Sequence, residues 1–264
     1  MDFHGDRSAE PVCHEIGDKT VTKTVLITGG SRGIGEAMVR LFAERGWSVI
    51  FTFVSNAAAA HKVATEAGAR AMRCDSGSED DILALFEQLD GEGIVLDALI
   101  NNAGVSGPRH RAVEVTREVL EQVTRINFIG PVLFCREAVK RMSTATGGRG
   151  GGIVNLSSTA TKKGGAGQWA DYAALKGAID VFTNGLAREV AAEGIRVNAV
   201  APGYVLTDMA VDGGIAASFE TALKSDIPMG RIGEVREIAE GAYWLCTDAA
   251  GYVTGTVLNV AGGR

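Results

Sequence analysis

The sequence predicts a single α/β domain, a parallel sheet of seven strands with helices on both faces. Three observations predict it. Short β-branched runs alternate with longer segments whose apolar residues recur every three or four positions, the pattern of βαβ units. The runs are mostly apolar on both faces, as strands covered from both sides must be. The first run leads straight into a glycine-rich turn and an amphipathic stretch.

In order, the runs are TVLITG from Thr24, SVIFTFV from Ser48, RAMRCD from Arg70, DALINNAG from Asp97, GIVNLSS from Gly152, IRVNAVAP from Ile195 and TVLNVAG from Thr256. Between them, a helix is expected from near Ile34, and residues 35–45 and 79–90 carry apolar positions at helical spacing beside charges that face water. TATGGRGGG, 144–152, reads as a flexible turn before a strand, since the glycines precede the strand rather than follow it as in a phosphate cradle. No linker or repeat divides the chain, so residues 23–264 form one domain behind a flexible extension at 1–22.

Composition narrows the function classes. With 264 residues, nearly half of them apolar, and few prolines, the chain can bury one large core. Its net charge of −6 is dispersed, and no basic cluster alternates with aromatics, which argues against nucleic acid. Cys13, Cys74, Cys135 and Cys246 lie too far apart for a CxxC pair or a metal-ligand group, so neither a disulfide framework, a zinc site nor any other metal site is expected. No apolar run approaches the roughly 20 residues of a bilayer span, and the first residues lack the apolar core of a signal peptide. A soluble, cytoplasmic protein without membrane partners is expected.

Chemistry concentrates at the ends of the runs. In TVLITGGSRGIGEAM, Gly29, Gly33 and Gly35 let the backbone turn tightly and approach a ligand, and the amides at the helix start, around Ser31 and Ile34, attract a pyrophosphate. An acidic residue at the tip of the second strand would hold a ribose 2′-hydroxyl, but this chain has Phe53, Val54, Ser55 and Asn56 there. With no carboxylate to repel a 2′-phosphate, and with Arg32 in the turn able to fork onto one, the reading favours NADP(H) over NAD(H). Arg32 can equally be a solvated loop cation. Asp75, with Ser76 beside it, ends the third strand where a carboxylate can accept from an adenine amino group, or can cap the helix from Glu79. Asn102, Ala103 and Gly104 end the fourth strand, at the edge where such sheets bind ligands, or simply form a turn.

DYAALK sets Tyr172 four residues ahead of Lys176, so the phenol and the ammonium share one helical face. A nearby cation favours phenolate and lowers a phenol's pKa, which suits proton exchange with a carbonyl oxygen during hydride transfer. Ser158 ends the fifth run ahead of a loop returning to Tyr172 and can hold the same oxygen, or act as a turn cap. Asn127, in VTRINFIG, interrupts an apolar helical run, as a site residue or a satisfied core amide. Pro202, Gly203, Val205 and Thr207 follow the sixth run, where backbone and hydroxyl groups can hold a carboxamide. Residues from there to about Asp226 read as a lid. Gln168, Trp169 and Met209 are expected at the substrate entrance.

Together TGGSRGIG, NNAG, Asn127, Ser158, YAALK and PGYVLT, in this order and spacing, resemble the short-chain dehydrogenase/reductase family over nearly the whole chain from Lys23. Members likened to glucose dehydrogenases and 3-oxoacyl-carrier-protein reductases are the nearest in pattern. The resemblance implies a Rossmann-type, doubly wound domain. It implies Tyr172 as general acid/base, Lys176 lowering its pKa and binding the nicotinamide ribose, Ser158 orienting the carbonyl, and Asn127 holding a water that links Lys176 to solvent. It also implies Gly29, Ser31, Arg32, Ile34, Asp75, Asn102, Gly104 and Thr207 as dinucleotide contacts, a small carbonyl or secondary alcohol as substrate, and a homo-oligomer, tetramer or dimer, paired through the apolar helix from Tyr172 to Ala191. Ser158 and Tyr172 stand one residue further apart than is commonest in the family, which leaves Thr159 as an alternative hydroxyl. The other readings are a catalytically idle dinucleotide-binding sensor or scaffold, against which the complete Ser, Tyr and Lys set counts, and an epimerase or dehydratase, which would carry a longer C-terminal substrate domain.

Overall fold

A computed structural model describes residues 22–205, 207 and 226–264. The expected 1–22 extension, except Thr22, most of the expected lid, Met209 and Cys13 lie outside the described residues.

All seven runs become strands of one parallel sheet: β1 (Thr24–Ile27), β2 (Ser48–Phe53), β3 (Arg70–Arg73), β4 (Ala98–Asn101), β5 (Gly151–Leu156), β6 (Ile195–Pro202) and β7 (Val257–Val260). Their spatial order is β3-β2-β1-β4-β5-β6-β7. Val25 on β1 pairs with Val49 on one side and Ala98 on the other, so the order reverses between β1 and β4. A crevice opens beyond the carboxyl ends of strands at such a reversal.

The helices connecting them are α1 (Gly33–Glu44), α2 (Ala57–Ala67), α3 (Glu79–Gly91), α4 (Arg117–Thr124), α5 (Gly130–Met142), α6 (Ala160–Lys163), α7 (Ala170–Val190) and α8 (Val235–Cys246). Because side chains alternate across a strand, Val25 and Ile27 join the core under α1, α2 and α8, while Leu26 joins the core under α3, α5 and α7. Phe42 anchors the first core and the Phe86–Phe134 pair the second, with ring centroids 6.0 Å apart. Full burial of each such ring stabilises by about 1.5–3 kcal/mol. Local chemistry sets the ends: Ser78 accepts from the Asp81 amide at the start of α3, and Asn56 accepts from the Ala59 amide at the start of α2.

Several local expectations are refined. Segment 144–152 is anchored, with Gly148 N donating to Ser143 O and Gly150 N to Met142 O before β5 begins. The stretch from Ser158 to Tyr172 is not all loop but contains α6. Asn127 lies in a π-helical turn, Arg125–Ile129, that joins α4 to α5. Cys74, Cys135 and Cys246 are free thiols, and burial pushes each up to about 12. Among the described residues there is no metal-binding cluster and no helix long and apolar enough to cross a membrane.

Candidate active site

The glycine turn sits at the carboxyl end of β1, held from two neighbouring strands. Thr52 on β2 accepts from the Gly29 amide through its hydroxyl and from the Gly30 amide through its carbonyl. From β4, Asn102 donates to the carbonyls of Thr28 and Gly29 at 2.9 Å each. The Thr28 hydroxyl in turn accepts from the amides of Asn102 and Ala103. Asn102 therefore braces the turn through its side chain. Gly29 has φ +68°, and a Cβ on Gly35 would lie 2.1 Å from the Gly29 carbonyl oxygen. Only glycine permits this approach of helix to turn, which leaves the first amides of α1 open toward a phosphate. The residues present fit a dinucleotide's pyrophosphate there.

Around the turn lie the other expected contacts. Arg32 is exposed at the N-cap of α1 and Ser31 half-buried beside it, with Gly33 and Ile34 opening the helix. Thr207 packs against the turn, since a Cβ on Gly33 would meet its methyl at 3.6 Å. Ser55 is exposed past β2, and Asn56, exposed likewise, uses its side chain to cap α2. Asp75 is not the cap of α3, which is Ser78; it folds back to accept from the Gly77 amide at 2.8 Å, and Ser76 beside it is buried. Pro202 ends β6, Gly203 donates to Val260 O, and Val205 bridges to Gly233.

On the other side of the crevice, α7 presents Tyr172 and Lys176 together, with the ammonium 5.6 Å from the centre of the phenol ring. Ser158, two residues beyond the end of β5, accepts from the Ala160 amide, and its hydroxyl lies close enough to the phenol to draw its pKa downward. Thr159 turns away, its hydroxyl donating to Pro202 O at 3.2 Å. The longer spacing thus leaves Ser158, not Thr159, facing Tyr172. Lys176 is almost fully buried and donates to Leu156 O at 2.7 Å. Asn127 has no exposure; it donates to Val105 O and Val123 O and accepts from the Val105 amide. Gly104 joins the halves, because a Cβ there would lie 2.7 Å from Asn127 Oδ1 and 3.7 Å from Lys176 Nζ.

The electrostatics depart from expectation. Burial pushes the phenol of Tyr172 up to about 12, only partly opposed by the Ser158 hydroxyl, so the net shift is upward rather than downward. Burial also lowers Lys176 to about 8, and the Asp180 carboxylate opposes that shift. Asp180 is itself raised by burial. Tyr172 is therefore a proton donor throughout the neutral range, beside an ammonium that discharges just above it.

Asp180, Thr28 and Thr52 are site residues that sequence reasoning missed. Asp180 follows Lys176 by four residues, so the spacing that pairs Tyr172 with Lys176 carries it too. The two threonines leave no comparable local signal. Buried amides also tie α7 to the sheet: Asn101 donates to Asn155, and Asn155 donates to the Thr183 hydroxyl, each at 2.9 Å. Ahead of α7, Trp169 donates through Nε1 to Gly107 O and lies under the Arg109 guanidinium, with Gln168 adjoining.

Comparison with known proteins follows the same outline. The family model described as enoyl-(acyl carrier protein) reductase matches residues 29–264. The Escherichia coli K12 protein described as uncharacterized oxidoreductase YgfF is 44% identical over 244 residues, covering 90% of this chain and 98% of that one. The crystal structure of 3-ketoacyl-(acyl-carrier-protein) reductase from Brucella melitensis complexed with NADH is 33% identical with a TM-score of 0.84, covering 92% of this chain and 98% of that one. A blue fluorescent protein from a metagenomic library, in complex with NADPH, is 34% identical with a TM-score of 0.83, covering 91% and 97%.

Proposed function

The chain belongs to the short-chain dehydrogenase/reductase family, and on that premise we propose that it is an NADP(H)-dependent oxidoreductase interconverting a small-molecule carbonyl and the corresponding secondary alcohol. The observation that carries the reading is the meeting of Ser158, Tyr172 and Lys176 at the crevice where the glycine turn, Gly104 and Asn127 also converge. The bound nicotinamide supplies or accepts the hydride. The protein's own groups handle the oxygen: Ser158 and Tyr172 hold the carbonyl oxygen between their hydroxyls, and Tyr172, protonated at neutral pH, gives it the proton. The Lys176 ammonium stabilises the negative charge that develops on the phenol oxygen as the proton leaves. Leu156 O accepts from that ammonium at 2.7 Å and holds it in place.

One prediction follows from the ammonium. Lys176 is charged below about 8 and neutral above it. The kcat/KM for carbonyl reduction is therefore flat through neutral pH and falls above about 8. A pH profile with no alkaline fall below the phenol's own range would overturn the role given to Lys176.

The preference for NADP(H) rests on the exposed Arg32 beside a β2 tip that carries no carboxylate. Arg32→Glu replaces a forked donor with a repelling charge, and a charged hydrogen bond contributes about 1.5–3 kcal/mol. NADPH affinity should fall about 10–100-fold while NADH affinity changes less than about threefold. Fluorescence titration of both dinucleotides checks this, and an equal loss for both would remove the phosphate assignment. The same reading places a second copy of the chain against α7, where Ala174 and Val181 are exposed, Val181 by 75%. Sedimentation at micromolar concentration should give a dimer or tetramer; a monomer would contradict it.

A further inference from the structure

The loop that follows β4 is fastened to the entry of α7. His110 N donates to Gln168 O at 3.0 Å, and Trp169 Nε1 donates to Gly107 O at 3.3 Å. Beside these backbone ties, His110 Nε2 lies 3.2 Å from Asp171 Oδ1, with the two side chains only 9% and 8% exposed. No part of the proposed reaction uses this pair.

Its geometry defines its character. His110 Nδ1 is 2.9 Å from the Pro108 carbonyl oxygen, which only accepts, so Nδ1 carries a hydrogen. Nε2 faces the Asp171 carboxyl at 3.2 Å, and this nitrogen makes no other hydrogen bond. Neither Asp171 carboxylate oxygen takes a well-formed hydrogen bond from the protein. Buried polar groups are costly without a polar neighbour, and the His110 ring and the Asp171 carboxyl are placed to serve as one for each other. Asp171 is the residue immediately before Tyr172, in the first turn of α7.

We propose that His110 and Asp171 form a positioning latch. The pair holds residues 105–111 against the first turn of α7 and so fixes the wall of the carbonyl site relative to the Tyr172 hydroxyl. The latch itself stands on the geometry; its effect on substrate rests on the oxidoreductase reading above. His110 and Asp171 touch neither the glycine turn nor Lys176 in this arrangement, so their effect falls on the carbonyl substrate and not on the dinucleotide.

The test uses the full chain with His110→Ala, Asp171→Ala and the double variant, read by hydrogen exchange and by steady-state kinetics with NADPH. Each single variant should speed amide exchange in residues 105–111 and 168–172 about tenfold and raise the carbonyl KM about fivefold to tenfold. NADPH affinity and kcat should stay within about twofold, and the double variant should match the larger single effect because all three remove the same contact. His110→Gln and Asp171→Asn keep the packing if an alanine variant fails to fold, and they should move the same readouts in the same direction. Unchanged exchange, additive effects in the double variant, or raised exchange with an unmoved KM would each overturn the latch. Should the wild-type protein turn over no carbonyl at all, the oxidoreductase reading fails, and exchange alone then decides whether the latch exists.

Discussion

Tyr172→Phe is expected to lower kcat/KM for carbonyl reduction by about 10²–10⁴-fold, the range that a positioned general acid supplies. The substitution removes one oxygen and leaves the ring, so the packing of α7 and the place of the Lys176 ammonium 5.6 Å from the ring centre persist. Ser158 keeps its anchor on the Ala160 amide and still offers a hydroxyl, but the phenol that stood beside the Lys176 ammonium is gone. Loss of any hydrogen bond the phenol makes costs only about 1 kcal/mol of stability, far less than the kinetic effect. Because the glycine turn is untouched, NADPH affinity should change less than about threefold. Turnover within tenfold of wild type, measured by cofactor absorbance, would mean that the phenol is not the acid.

Gly35→Ala is expected to be the most damaging single methyl at the dinucleotide turn. Its Cβ would sit 2.1 Å from the Gly29 carbonyl oxygen and 2.6 Å from Asn102 Nδ2. The first obstacle is backbone, which cannot swing aside like the end of a long side chain. Relief requires moving α1 away from the turn or releasing the two hydrogen bonds by which Asn102 braces it. Overpacking of this kind costs about 1–3 kcal/mol of stability. The displaced amides should also lower dinucleotide affinity by about 100-fold, equivalent to roughly 3 kcal/mol. Gly91→Ala serves as the control, since nothing lies within 4 Å of a Cβ there. Calorimetric titration with NADPH and thermal unfolding read both effects; full affinity in Gly35→Ala would show that the turn does not hold the pyrophosphate.

Most strands were legible as short β-branched or apolar runs bounded by turn residues, β3 (RAMR) being the weakest, and their alternation with helical segments left a parallel sheet as the consistent arrangement. Gly29, Gly33 and Gly35 and the Tyr172–Lys176 pair were legible because their meaning lies in spacing along one element. Other parts were not, for physical reasons. The π turn that buries Asn127 depends on how α4 and α5 meet, and a sequence pattern of period 3.6 carries no mark of one extra residue in a turn. The upward shift of the Tyr172 phenol is a matter of burial, which outweighs the opposing Ser158 hydroxyl only once the surrounding layers are assembled. Thr28 with Asn102, Asn155 with Thr183, and His110 with Asp171 join residues distant in the chain, and no local rule reaches them. The helix α2 shows the weakness of local signals in another way: AAAAHKVATEA has too few large apolar residues to display a face, and it buries only Ala60 and Val63.

The central claim is that the convergence of Ser158, Tyr172 and Lys176 over a dinucleotide crevice performs carbonyl–alcohol chemistry. The measurement that tests it most directly is cofactor absorbance across a panel of carbonyls and secondary alcohols, run with NADPH, NADP⁺, NADH and NAD⁺. The account predicts that at least one carbonyl oxidises NADPH, faster than NADH, and that Tyr172→Phe slows the reaction by about 10²–10⁴-fold while NADPH still binds. NADPH that binds in the crevice yet exchanges no hydride with any member of the panel would contradict it.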